Sequence, residues 1–120
     1  MHSSLRSLLF AASFITSLTA VAECTAPDQP ALPDGTSSTM DEMIAGQKAV
    51  KAFQADVQAF RACLDEELES LKSAAADGDE AAAELFAAKT DAYNASVAAE
   101  EEVANNFNAQ IRAYKEANAS

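Results

Sequence analysis

Residues 39–71 read TMDEMIAGQKAVKAFQADVQAFRACLDEELESL, and this stretch decides the fold. Its large apolar residues Met43, Val50, Val57, Leu64 and Leu71 recur every seven positions. Phe53 and Phe60 each follow three residues after a member of that series. The pattern is an a/d heptad seam, which keeps one narrow helical face turned toward a partner helix. Its start is marked by Thr39-Met40-Asp41-Glu42, a capping box in which hydroxyl and carboxylate satisfy each other's free backbone amides. A helix this long cannot bury its seam alone, so the rest of the chain must supply the cover.

Downstream, Asp77-Gly78 is a helix breaker and Asp79 a good N-cap for a second helix. In that second helix Phe86, Tyr93, Phe107 and Tyr114 share one heptad position, and Glu100 interrupts the series. Val97, Ala104 and Ile111 follow four residues after members of it. Two long helices joined by a short turn make an antiparallel hairpin. One register pairs the apolar residues in sequence: Leu71 with Leu85 and Phe86, Leu64 with Tyr93, Phe60 with Val97, Phe53 with Val103, Val50 with Phe107, Met43 with Ile111, and Met40 with Tyr114. Glu100 falls on the core stripe, with Arg61 or Lys51 as its available partners.

Upstream, residues 23–38 form an arm carrying Pro27, Pro30 and Pro33, a spacing of three that would line the rings along one side of a polyproline II helix. Cys24 opens the arm and Cys63 lies deep in the first helix. Two cysteines in an exported chain most simply form one disulfide. The reach is sufficient: Thr39 to Cys63 spans about 36 Å of helix, and Cys24 to Thr39 about 46 Å of polyproline II. A disulfide between two molecules is the alternative. Ala45, Ala49, Ala52, Ala59 and Cys63 form a second stripe that would serve as a bed for the doubled-back arm. Helix propensity alone explains the same alanines.

Residues 1–22 read as a secretory leader. Arg6 stands near the start, residues 8–22 are apolar or small, and Ala20-Val21-Ala22 is an A-x-A cleavage signal. The alternative, a membrane anchor, needs roughly 20 apolar residues, more than this run supplies. Cleavage after Ala22 would remove one base and no acid, taking the net charge from −11 to −12. That charge argues against nucleic acid and anionic membrane surfaces as partners.

The fold class expected is therefore all-α: a long antiparallel two-helix hairpin, coiled-coil-like, preceded by a Pro-containing arm held by one disulfide. Its parts are a cleaved leader 1–22, an arm 23–38, and a hairpin 39–120 with a helix 39–74, a turn 75–79 and a helix 80–117.

Residue types limit the chemistry. The only histidine, His2, lies in the leader. After cleavage no histidine is left for general-base or metal-ligand duty, and two cysteines are too few for a zinc site of the Cys/His kind. Only Gly35, Gly46 and Gly78 are present, so no glycine-rich phosphate loop exists. No cofactor and no enzymatic activity are expected. Eight acids crowd between Asp65 and Glu84 with Lys72 as the single base, forming an acidic tip. Asp65, Glu66, Glu69, Asp77 and Asp79 are the candidates there for a cation such as Ca²⁺, although EF-hand spacing is missing. A solvated, solubilising surface explains the same residues. At the other end Gln47, Lys48, Lys51, Asn108 and Arg112, with Asn105, Asn106 and Gln110, form a polar, amide-rich surface and the first candidate for partner contact.

Cys24, the three prolines, Thr39-Met40-Asp41-Glu42-Met43, Gln47-Lys48-Ala49-Val50-Lys51, Phe53, Phe60 and Cys63-Leu64 also carry a resemblance, as do Phe107-Asn108-Ala109-Gln110 and Arg112-Ala113-Tyr114-Lys115. They resemble a group of small exported α-helical proteins of Gram-negative bacteria. The resemblance implies a periplasmic or secreted location and brings no activity and no catalytic residues.

The function expected is that of an exported, non-enzymatic binding protein of the cell envelope. Its partner would be another envelope protein or a second copy of itself, with no membrane span after cleavage. The alternatives are a cation-binding or stress-buffering protein acting through the acidic tip, and a structural homo-oligomer.

Overall fold

A computed structural model describes residues 23–120. The expected leader, residues 1–22, lies outside the described residues. Two helices make up the hairpin: α1, Met40–Ala76, and α2, Glu80–Ala117.

The first helix begins where its capping box places it. Thr39 Oγ1 accepts from the Glu42 N–H at 3.2 Å, and Glu42 Oε2 accepts from the Thr39 N–H at 2.8 Å. Two amides that the helix start would leave unpaired are thereby satisfied. The helix runs to Ala76, two residues beyond the expected end at 74. Its closing bonds come from further along: the Gly78 N–H donates to the Ala75 carbonyl at 3.3 Å, and the Asp79 N–H to the Ala74 carbonyl at 3.0 Å. This is a Schellman closure, and Gly78 takes the left-handed conformation it requires, with φ at 91°. Asp79 then caps α2, its Oδ1 accepting from the Ala82 N–H at 3.1 Å.

Arg61 of α1 pairs with Glu100 of α2, and Glu67 with Lys89, so residue numbers rise on one helix as they fall on the other. The hairpin is antiparallel. Met43, Val50, Phe53, Val57, Phe60 and Leu64 are buried on α1, and Ala82, Ser96, Val103 and Phe107 on α2. The heptad reading therefore holds through Leu64. The expected pairing of Phe60 with Val97 is shifted. Phe60 lies with Ala92, Ala95, Ser96 and Ala99, while Val97 is 37 % exposed. Ser96 takes the inward place because it is small and self-satisfied: its hydroxyl donates to the Tyr93 carbonyl at 2.6 Å.

The arm is the third layer. It runs back along α1 and joins it through the Cys24–Cys63 disulfide, with 5.8 Å between the Cα atoms. Its burial repeats every three residues: Cys24, Pro27, Pro30 and Pro33 are half-buried while Thr25, Asp28, Gln29 and Ala31 are exposed. That is the polyproline II period. The alanine bed holds in part: Cys63 is bonded to the arm, and Ala45 and Ala49 line a recess with Ala31, Leu32 and Pro33. Ala45, Ala52 and Ala59 stay exposed. The arm lies along the groove between the helices, where Ala26 and Pro27 line a recess with Phe53, Val57 and Phe60 of α1 and Ala92, Ala95 and Ala99 of α2. The groove offers apolar surface from both helices, more than the alanine stripe does.

Near its other end, Leu32 packs on the core and the Gly35 N–H donates to Gln110 Oε1 at 2.8 Å. A turn follows, held by Asp34: its carbonyl accepts from the Ser38 N–H at 2.9 Å, and its Oδ1 accepts from the Thr36 N–H and hydroxyl. The Thr36 hydroxyl, then the Thr36 amide, hold the Asp34 carboxyl below its usual pKa. Beyond the reach of the arm the described residues form only the two helices, and the seam loosens. No α1 residue after Leu64 is fully buried, and Leu85, expected against Leu71, is 51 % exposed.

A candidate docking groove opposite the arm

The arm's upper end is a latch of four residues. Cys24 and Cys63 are bonded, the Cys24 N–H donates to Glu67 Oε1 at 3.4 Å, and Glu67 Oε2 pairs with Lys89 Nζ at 2.5 Å. Glu67 lies four residues after Cys63, one helical turn on, so the disulfide and the carboxylate share a face. The Lys89 contact, with help from the Cys24 amide, holds the Glu67 carboxyl below its usual pKa of 4.5. Glu67 thus ties the arm, α1 and α2 together. The sequence shows it only as one acid among eight, since Lys89 stands outside the heptad series.

Cys24, Cys63 and Glu67 are also the one group of three potential metal ligands among the described residues, with ligand atoms within 4.8 Å of one another. Both sulfurs are committed to each other and the carboxylate to Lys89, so the group works as a latch. The candidates Asp65, Glu66, Glu69, Asp77 and Asp79 are all exposed, and the structure does not gather them into such a group. They form a charged surface on the tip.

The two faces of the hairpin differ. On the arm's face, a cavity of about 310 Å³ lies between Pro27 and the small residues Ala92, Ala95, Ser96 and Ala99. Among the described residues the opposite face has no such cover. There Gln47, Lys51 and Gln54 of α1 and Ala104, Asn108 and Ile111 of α2 line one recess over Val50 and Phe107. A second recess continues toward the base, lined by Met40, Ile44, Gln47, Ile111, Tyr114 and Lys115. Met40 is 57 % exposed, Ile44 42 % and Val97 37 %. The two recesses form an open groove of apolar floor and polar rim along the base half of the hairpin, and Val97 is exposed further along α2. Arg61 and Glu100 bridge the hairpin near its middle at 2.8 Å, which settles the partner of Glu100.

Of the residues expected at the contact surface, Gln47, Lys51 and Asn108 come together in this groove. Lys48 and Arg112 are exposed but outside the recess lining. Gln110 is corrected: it faces the arm and is occupied by Gly35. Met40, Ile44 and Val97 are exposed apolar residues that the sequence reading pairs inside the hairpin or leaves out. Their signal is an apolar residue on the flank of the seam rather than in it. No helix among the described residues is long and apolar enough to cross a membrane. Comparison with family models, with curated proteins and with solved structures gave no match, so the functional reading rests on the chain's own residues.

Proposed function

We propose that this chain is an exported, disulfide-stapled helical protein of the cell envelope that acts by binding, through the open groove, rather than by catalysis. The observation that carries the reading is the inequality of the two faces. The arm lies along one groove of the hairpin, while on the other face Met40, Ile44 and Val97 are exposed and Gln47, Lys51 and Asn108 line a recess. A groove with an apolar floor and a polar rim suits an amphipathic helix laid along it. The Cys24–Cys63 disulfide agrees with folding in an oxidising compartment, as the leader-like residues 1–22 also suggest. A strongly acidic surface would keep such a protein dispersed there.

The test compares wild type with I44K/V97K, which puts one charge in the groove and one at the exposed Val97 of α2. Each protein is tagged, crosslinked in the living cell and recovered, and the attached envelope proteins are identified by mass spectrometry. The reading expects a specific adduct in wild type that the double variant loses, with helix content and Tm unchanged. Equal adducts in both proteins would refute the groove as the contact site.

A further inference from the structure

The face that carries the open groove is charged unevenly along its length. Toward the base it carries Lys51 and Lys115, and four of the chain's eight bases (Lys48, Lys51, Arg112 and Lys115) lie in that half. Toward the tip the same face of α1 carries Asp65 and Glu69, which lie 14 and 18 residues after Lys51, close to whole numbers of helical turns. All four of Lys51, Gln47, Asp65 and Glu69 are exposed.

Resting on the docking reading above, we infer that the partner the groove is built for is a second copy of this chain, laid antiparallel with the tip of each copy on the base of the other. A twofold axis lying in the interface, perpendicular to the helices at Gln58, stacks α1 on the α1 of the second copy. Residues equidistant from Gln58 then face each other. Lys51 meets Asp65, and the Gln47 amide meets the Glu69 carboxylate, each contact occurring twice. Ala55 and Ala62 flank the axis, are exposed and small, and let the two helices approach closely. These two contacts are self-complementary, as those of an isologous interface must be. The other way of pairing groove to groove, tip on tip, would bring together two ends with eight acids and one base each, and like charges in contact select against it.

Area agrees with this occupant. The 37 residues of α1 span about 55 Å, and two helices side by side are about 20 Å wide. The face is then on the order of 1,000 Å² per copy, comparable to the ~800 Å² of a standard stable interface. The product is a four-helix bundle whose outer faces carry the two arms.

The test is sedimentation velocity on the disulfide-bonded protein purified from cells, as wild type, K51D and D65K, and as an equimolar mixture of the two variants. Both substitutions sit on exposed helical positions, and circular dichroism verifies that the fold is kept. Wild type is expected to sediment as a dimer. Each variant alone places like charges in contact twice, and its dimer Kd is expected to rise about tenfold. In a mixed dimer the aspartate introduced by K51D meets the lysine introduced by D65K. The other contact keeps the native Lys51 of one copy against the native Asp65 of the second, so mixing restores the dimer. A monomeric wild type overturns the inference, as does a dimer that neither variant weakens, or a mixture no better than its components. A monomer that still gives an Ile44-dependent adduct with another envelope protein refutes the second copy and leaves the docking reading standing.

Discussion

Gly46 of α1 lies directly beneath Pro33 of the arm, so close that a Cβ on Gly46 would come within 2.7 Å of the Pro33 Cδ and 3.1 Å of the Phe107 ring. Glycine inside a helix is ordinarily a loss of about 1 kcal/mol relative to alanine. Here it is the space in which the arm is seated. Gly46→Ala should therefore lower stability, by about 1–3 kcal/mol, despite its better helix propensity. P33A/G46A removes the ring that collides and should recover most of that loss. Urea unfolding of the two variants and of P33A alone measures the coupling directly.

Gly35 is tighter still. A Cβ there would overlap the Gln110 carbonyl oxygen and come within 2.8 Å of the Tyr114 nitrogen, both backbone atoms of α2 that cannot step aside. Gly35→Ala should detach this end of the arm and cost on the order of 3 kcal/mol. Amide hydrogen exchange should then rise at Gly35 and Thr36 while the middle of α2 stays protected.

The disulfide closes a loop across a sequence separation of 39 residues. Loop-closure entropy for that length is worth about 4 kcal/mol. C24S/C63S should lose roughly that much stability and free residues 23–31, while the base of the arm stays anchored at Gly35. Increased proteolysis confined to the N-terminal arm, with helix content kept, is the expected readout.

Glu67 gives the latch a pH dependence. Its folded pKa is depressed below 4.5, chiefly by Lys89, so its contribution is complete above pH 4.5 and is lost as pH falls through the lower, folded value. Wild type should melt above E67Q at neutral pH, and the gap should narrow as pH drops below 4.5. A gap unchanged down to strongly acid pH would show that the carboxylate charge plays no part in the latch.

The helices, their caps and their antiparallel register are legible in the sequence because each rests on a repeating or local rule. Heptad spacing names Met43 to Leu64, Thr39 to Glu42 spell their own cap, and Asp77-Gly78-Asp79 marks the turn. The disulfide follows from reach and from the count of two cysteines. The arm's bed is legible only in part, because the alanine stripe competes with a groove that exists only once both helices are packed. The exchange of Val97 for Ser96 at Phe60 is hidden for a related reason: hydropathy ranks valine above serine for burial, and geometry at a close helix contact reverses the order. The open groove is half legible. Gln47, Lys51 and Asn108 stand out as polar surface, but the exposure of Met40, Ile44 and Val97 depends on which side the arm takes.

The most direct test of the open groove as the working surface is site-specific photo-crosslinking in the cell, with the reactive side chain placed at Ile44 in one protein and at Ala59 in another. Both positions are exposed on α1, but Ile44 lines the open groove and Ala59 lies on the outer side of the helix. The account predicts a discrete covalent adduct from Ile44, to a second copy or to another envelope protein, and none from Ala59. No adduct from Ile44, or equal adducts from both positions, would contradict it.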